Sequence, residues 1–246
     1  MENYTINYVV ALYFGERMSK KHNSILEVNQ YYLLEEHLKF ICDCKNNIRQ
    51  ITFVINGKSP ADILDKIKHN IPKYVDVSIL QRENVGFSYA GWNDVIINDI
   101  NNNSEFDYYF LIEDDFVPNM AEFYKPFVKK CTDKNPFVCN LVLDSPKRHP
   151  AMPHGLIQTK SCKKIYEKYN TVFLIYANPN ANKDDSYKFA WKTQTDYYDY
   201  FINEGYTVDD ITDEFSASFH NSQDDSIRNY GDERNLSLLN PILSKY

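Results

Sequence analysis

Three consecutive carboxylates, Glu113-Asp114-Asp115, follow the run Tyr108-Tyr109-Phe110-Leu111-Ile112. Five apolar or aromatic residues in a row read as a strand buried on both faces, as in the middle of a parallel sheet. Like charges crowded at the carboxyl end of such a strand repel one another, and a cation held among them removes that repulsion. In open α/β sheets this end is also where ligands bind. A solvated acidic turn is the plain alternative. The buried strand before the acids argues against it, as does the helical pattern that Pro118 opens through Met120, Phe123, Tyr124 and Phe127.

A second group of residues precedes the acids. In Arg82-Glu83-Asn84-Val85-Gly86-Phe87-Ser88, Gly86 lets backbone approach a ligand closely, while Arg82 and Asn84 bring donors suited to a nucleotide's base or phosphates. Gly15-Glu16-Arg17 and the turn Asn56-Gly57 fall at the ends of two earlier apolar runs, where loops could hold the same ligand.

The elements that must position these residues alternate. Ile6 to Phe14, Ile48 to Ile55, Val75 to Leu80 and the acidic strand are separated by helical patterns over Asn29 to Ile41, Pro60 to His69 and Tyr89 to Ile100. Strand and helix in alternation predict a Rossmann-like α/β layer, a mostly parallel sheet with right-handed crossovers. Beyond the acids, strands are expected at Phe137 to Leu143 and Gly155 to Thr159. Helices are expected near Ser161 to Tyr169 and from Tyr187 to Glu204, the last stopped by Gly205. One domain accounts for all 246 residues. It divides into a ligand-binding half to about residue 115, a smaller subregion over 116–220, and a polar tail over 221–246.

Composition narrows the partners. The net charge is −7 and no Lys/Arg stripe occurs, which disfavours nucleic acid. No stretch approaches the ~18 apolar residues of a spanning helix. The start lacks a basic segment followed by an apolar run, so no signal peptide is expected. Five cysteines, odd in number and in no zinc-ribbon spacing, suit reduced thiols in a cytoplasmic compartment.

Arg82-x-Asn84-x-Gly86-Phe87-Ser88-x-Ala90-x-x-Asn93 resembles the Asn-x-Gly-x-Ser/Ala-x-Ala-x-Asn segment of many GT-A glycosyltransferases, especially the large inverting family that makes polysaccharides. Leu111 to Pro118 resembles their metal-binding motif, in the Glu-Asp-Asp form of N-acetylglucosaminyltransferase I and its relatives. Thr195 to Val208 is similar to the helix placed under the acceptor, and His220 to the late histidine that completes metal binding.

The resemblance implies a GT-A fold and transfer from a nucleotide sugar, a UDP-sugar favoured, to a glycan or lipid-linked acceptor. Mn²⁺ or Mg²⁺ would neutralise the leaving diphosphate. Asp115 and His220 are then the metal ligands. Glu113, Asp114, Gly15, Arg17, Asn56, Arg82, Asn84 and Gly86 line the nucleotide sugar. Asp196 is the base that takes the acceptor proton, with Asp199 in reserve on the same helix face. The chain departs from the pattern at Asn56-Gly57-Lys58-Ser59, where an acidic residue is usual, and at Thr193-Gln194, where Glu-Asp is usual.

Plainer roles stand beside these. His220 could be a partly buried histidine, and Asp184-Asp185, Asp209-Asp210 and Asp224-Asp225 read as capping or solvated acids. Trp92 and Trp191 read as packing residues. His149 and His154 line either the acceptor loop or nothing but structure. Tyr197, Tyr198 and Tyr200 stack on an acceptor or pack. Two rival functions use similar materials, a sugar-phosphate nucleotidyltransferase and an inactive GT-A-like binding protein. The first wants a Gly-rich phosphate loop after the first strand, where only Gly15-Glu16-Arg17 stands.

Overall fold

The computed structural model describes residues 4–15, 17–19, 24–26, 34–35, 37–38, 47–114, 116–118, 121–143, 149–211 and 239–241. Strand β1 (Ile6–Leu12) is buried along its whole length, as a strand with parallel neighbours on both edges should be. Those neighbours are β4 (Ile48–Asn56) and the acidic strand β6 (Tyr108–Glu113), and β5 (Asp76–Arg82) adds in parallel beyond β4. Between β1 and β4 lies a short antiparallel hairpin, β2 (Arg17–Ser19) with β3 (Ser24–Leu26). On the other side of β6 the direction reverses. Strand β9 (His149–Gln158) runs antiparallel to β6, β8 (Phe137–Leu143) antiparallel to β9, and β10 (Val208–Asp210) parallel to β8. The order β10-β8-β9-β6-β1-β4-β5 makes one seven-stranded, mostly parallel sheet. Helices cover both faces, so the fold is the Rossmann-like α/β layer that the alternation predicts.

Side-chain alternation along the strands divides the core in two. On one face Tyr8, Val10, Phe53, Phe110 and Ile112 pack with Ile63 and Ile67 of α1 (Ile63–Asn70) and Phe127 of α3 (Lys125–Lys130). On the other, Val9, Val54, Tyr109 and Leu111 pack with Trp92 and Ile96 of α2 (Phe87–Asn101) and with Ile165 of α4 (Thr159–Tyr169). A buried polar chain crosses this second face. Asn7 donates to Asp99 at 2.9 Å and accepts from the Thr52 hydroxyl at 2.9 Å, so a polar residue inside β1 is paired.

Several boundaries differ from the sequence reading. Pro118 ends a three-residue strand, β7 (Phe116–Pro118), instead of opening a helix. Helix α3 waits until Lys125, because Glu122 adopts a left-handed φ of 56° and Pro126 supplies the helix start. Strand β7 pairs antiparallel with β11 (Leu239–Pro241), so part of the tail returns to the acidic segment. The helix expected from Tyr187 to Glu204 is two helices, α5 (Lys183–Asp196) and α6 (Asp199–Asn203). Between them Tyr197 and Tyr198 are both buried. Consecutive positions on one helix point about 100° apart, and the break lets both rings enter the core. They pack and do not face an acceptor, and Tyr200 stacks on Tyr169 at 4.2 Å. Val172 to Tyr176 is a loop without strand pairing. Of the helix expected over Asn29 to Ile41, Leu34, Glu35, His37 and Leu38 are described and helical. Cys131, Cys139 and Cys162 are free thiols, and Cys42 and Cys44 lie outside the described residues. No helix among the described residues is long and apolar enough to cross a membrane.

Gly155 fixes how closely β8 and β9 approach. A β-carbon there would lie 2.2 Å from the Val138 carbonyl oxygen and 2.6 Å from Cys139 Cα, both backbone atoms that cannot rotate away. Gly155→Ala is therefore expected to destabilise the protein by about 2–3 kcal/mol, read as a lowered urea midpoint with an unchanged slope. An unchanged midpoint would refute the close approach.

Candidate active site

Because β6, β1, β4 and β5 are parallel neighbours, their carboxyl ends share one edge. There the structure gathers Gly15, Asn56, Arg82, Asn84, Gly86, Glu113 and Asp114. Asp115 and His220, the expected metal ligands, lie outside the described residues, as does the Asp224-Asp225 pair. Arg17 is described as part of β2.

The strand's period of two gives adjacent acids separate duties. Glu113 shares a face with Tyr109 and Leu111, under α2, and its side chain keeps 32% of its surface exposed. Ser88 Oγ donates to Glu113 Oε1 at 2.5 Å, and His154 Nε2 stands 3.2 Å from Oε2. A carboxylate oxygen facing Nε2 requires the proton on that nitrogen. The histidine is 3% exposed, its ring lies against Phe116 at 4.1 Å, and its buried Nδ1 has no partner among the described groups. Nearby, burial raises the Tyr89 phenol well above its ordinary pKa, and the charge of Glu113 adds to the effect.

Asp114 instead fastens the strand ends together. Its N–H donates to the Ala11 carbonyl at 3.1 Å, and its Oδ2 accepts from Tyr13 N–H at 3.0 Å. Its own carbonyl meets His37 Nε2 at 3.0 Å, and His37 Nδ1 meets the Tyr8 hydroxyl at 2.9 Å. A carbonyl can only accept, so Nε2 carries the proton and Tyr8 donates to Nδ1. Burial lowers the His37 pKa to about 4, with the nearby His154 contributing, so the ring is neutral at neutral pH. Burial likewise holds Tyr8 in its protonated, donating form.

The loop after β5 is built around Arg82. Its guanidinium donates to Asn56 Oδ1, the Val85 carbonyl and Asp94 Oδ2, each at 2.9 Å. These bonds join the end of β4, the loop and α2 in one unit. Gly86 caps α2 at φ 81°, and a β-carbon there would stand 2.7 Å from Ala90 Cβ. Phe87 follows at φ 56°, a left-handed conformation rare for a bulky residue. No side chain caps the amino end of α2, whose amides face the same edge as Glu113. Deeper in α2, Asn93 Oδ1 accepts from Thr171 Oγ1 at 3.1 Å and from the N–H groups of Val172 and Phe173 at 3.0 Å. That fixes the loop leading to α5, which Thr193 ties again by accepting from Tyr176 N–H at 2.9 Å.

Asp196 and Asp199 stand on different helices, not on one continuous face. Asp196 Oδ2 accepts from the Tyr176 hydroxyl at 3.2 Å and lies 3.7 Å from Lys192 Nζ, while Asp199 opens α6. Asp185 and Asp210 take structural bonds. Asp185 N–H donates to the cap residue Asn182, and Asp210 Oδ2 accepts from Val142 N–H at 2.8 Å. Trp92 is fully buried and donates to the Ile112 carbonyl. Trp191 is 64% exposed and is not a packing residue, because it stands on the outer face of α5.

A cation fits this edge in one respect. Glu113 offers a half-exposed hard oxygen donor with both oxygens oriented, the outer support that metal carboxylates have. The described residues hold no cluster of three metal-ligating groups. A cavity of about 240 Å³ lies at the opposite end of β6 beside Asp107, Thr159 and Lys160. It shares no residue with the carboxylate edge.

Sequence spacing named Ser88 only as part of a motif and left His154 undecided. Their shared contact with Glu113 needs the antiparallel return of β9, which no local pattern announces.

Neither a family model nor a curated protein matches this sequence. Among solved structures, a cytidylyltransferase from Leptospira borgpetersenii superposes with a TM-score of 0.48 at 12% identity, covering 93% of this chain and 84% of that one. A Bacillus anthracis protein named as a glucose-1-phosphate thymidylyltransferase gives 0.47 at 13%, covering 84% and 87%. TarS of S. aureus gives 0.40 at 12%, covering 65% of this chain and 29% of its own. At these scores the likenesses decide nothing about function.

Two outcomes follow from the geometry. A double-mutant cycle between Ser88→Ala and Glu113→Gln should give a coupling of about 1–3 kcal/mol by urea unfolding, as for a hydrogen bond to a charged acceptor. Additivity would mean that Ser88 does not hold the carboxylate. For His37, whose folded pKa is depressed from 6.5 to about 4, stability is full above pH 6.5 and falls as pH drops toward 4. The loss should reach about 3 kcal/mol, and His37→Gln should remove that part of the acid sensitivity in unfolding titrations at pH 7 and near pH 4.

Proposed function

We propose that this chain is a metal-dependent glycosyltransferase that moves a sugar from a nucleotide sugar, a UDP-sugar favoured, to a glycan or lipid-linked acceptor with inversion. The observation that carries the reading is the Glu113 carboxylate. It stands at the end of a central parallel strand beside the open amino end of α2, oriented by Ser88 and His154. Oriented carboxylates and free helix amides at this edge suit a nucleotide diphosphate and its cation.

In this reading the α2 amides and the Gly86 backbone receive the diphosphate, with glycine required at residue 86 by its φ of 81° and by Ala90, whose Cβ stands 2.7 Å from where a β-carbon would lie. Asn84 is assigned to the base or ribose, together with Asn56, whose Oδ1 is held by Arg82. Glu113 orients the donor through a hydroxyl or through the cation, with Asp115 and His220 as the expected further ligands. A bound Mn²⁺ or Mg²⁺ supplies charge neutralisation of the departing diphosphate. Asp196 takes the acceptor proton, its Oδ2 oriented by Tyr176, and Asp199 is the alternative. Arg82 acts indirectly, by fixing the loop.

The test is calorimetric titration with UDP, with and without Mn²⁺, followed by a screen of nucleotide sugars for slow hydrolysis. Metal-dependent binding is expected, with donor turnover reduced about 100-fold or more in Asp115→Asn and Glu113→Gln. Wild-type turnover in both variants would overturn the assignment. Pyrophosphate release from a nucleoside triphosphate and a sugar 1-phosphate would replace it with nucleotidyl transfer.

A further inference from the structure

Two large aromatic residues stand outside the core on one helix. Trp191 is 64% exposed and Tyr187 49%, and their spacing of four places them on the same face of α5. Phe87 reaches out from the amino end of α2 and stacks on Tyr187, with ring centroids 6.2 Å apart and planes 28° from parallel. It does so at φ 56°, a strained setting retained beside Ser88, whose hydroxyl bonds Glu113. A polar-rimmed cavity of about 140 Å³ lies between these elements, with Asn84 and Gly86 on one wall and Tyr176, Asn178 and Ser186 on the other.

We infer that Tyr187 and Trp191, braced by Phe87, form a stacking platform for pyranose rings of the acceptor glycan, on the same helix as Asp196. The inference rests on the glycosyl-transfer reading and names where its acceptor lies. The chemistry favours a saccharide over a protein partner. Among the described residues the only other large exposed hydrophobic is Tyr74, so no aliphatic surface extends these rings into a protein-sized patch. The chain leading into and along this part of α5 is rich in amides and charges: Asn178, Asn180, Asn182, Asp184 and Lys188. A pyranose presents an apolar C–H face to an aromatic ring and hydroxyls to such a rim, which matches both parts of the surface. The cavity links the platform to Asp196, because Phe87, which stacks on Tyr187, and Tyr176, whose hydroxyl bonds Asp196, both line it.

The chain has two tryptophans, and Trp92 is fully buried, so acrylamide quenching of indole emission reads Trp191. The full chain is titrated at millimolar concentration with chitotetraose, cellotetraose and mannotetraose, and separately with UDP and Mn²⁺. At least one oligosaccharide is expected to shift the emission to the blue and protect it from quenching. Tyr187→Ala should weaken that response about tenfold, while UDP affinity by calorimetry stays at the wild-type level. No response to any oligosaccharide, an equal response to UDP alone, or undiminished sugar affinity in Tyr187→Ala would each overturn the platform. UDP binding without a sugar response sinks this inference and leaves the transferase reading standing. A sugar response without UDP binding supports the platform and removes the transferase.

Discussion

The alternation of side chains at the end of β6 is the constraint on which the rest depends. Two neighbouring carboxylates cannot point the same way along an extended strand. Glu113 is therefore delivered to the α2 face, where Ser88 and His154 hold its oxygens. Asp114 is spent on β1, taking the Tyr13 amide and presenting its carbonyl to His37. What reads along the sequence as one cluster of charge is, in space, an outward carboxylate and an inward clamp. The clamp matters to the first, because it fixes the strand end from which Glu113 projects. A neutral His37 with an assigned proton does that with two directed bonds and no buried charge.

The same economy appears in α2. Its first turn carries the strained Phe87 and the Ser88 that touches Glu113, and its second turn holds Trp92 against β6 and Asn93 against the 171–173 loop. One helix thereby sets the carboxylate edge and, through that loop and Thr193, the course of α5. The close packing requires Gly91, since a β-carbon there would meet Val54 Cγ1 at 2.6 Å. Displacement of α2 would move Ser88 and the α5 anchor together.

The parallel half of the fold was legible because buried strands and amphipathic helices differ in period, and the runs are long. The edge that gathers Asn56, Arg82, Gly86 and Glu113 followed from that alternation alone. What stayed hidden was set by tertiary geometry. Pro118 suits a helix start and a strand end equally, and the left-handed Glu122 decided between them. The break between α5 and α6 came from burying two successive tyrosines, a demand that a run of aromatics does not declare. Trp191 was read as a packing residue, and its exposed face became known only when the neighbours of α5 were placed. Asp185 keeps to the helix start that a short acidic pair usually serves, whereas Asp210 is buried and bonds the Val142 N–H of β8 across the sheet.

The antiparallel return of β9 explains why a residue 41 positions beyond Glu113 completes its environment. A parallel strand added at that edge would begin at the amino end of β6 and bring its last residues to the tip, continuing into the next crossover. Strand β9 instead enters at the tip and runs back, with Gly155 opposite Leu111 and Gln158 opposite Tyr108. His154, the next residue toward the entry, then meets the carboxylate with its ring against Phe116 and edge-on to Trp92 of α2. Gly155 lets β8 close against β9, because a β-carbon there would strike the Val138 carbonyl oxygen. The carboxylate is thus gripped between a helix from the parallel half and a strand from the antiparallel half. The seam between the two halves of the sheet is where the chemistry is placed.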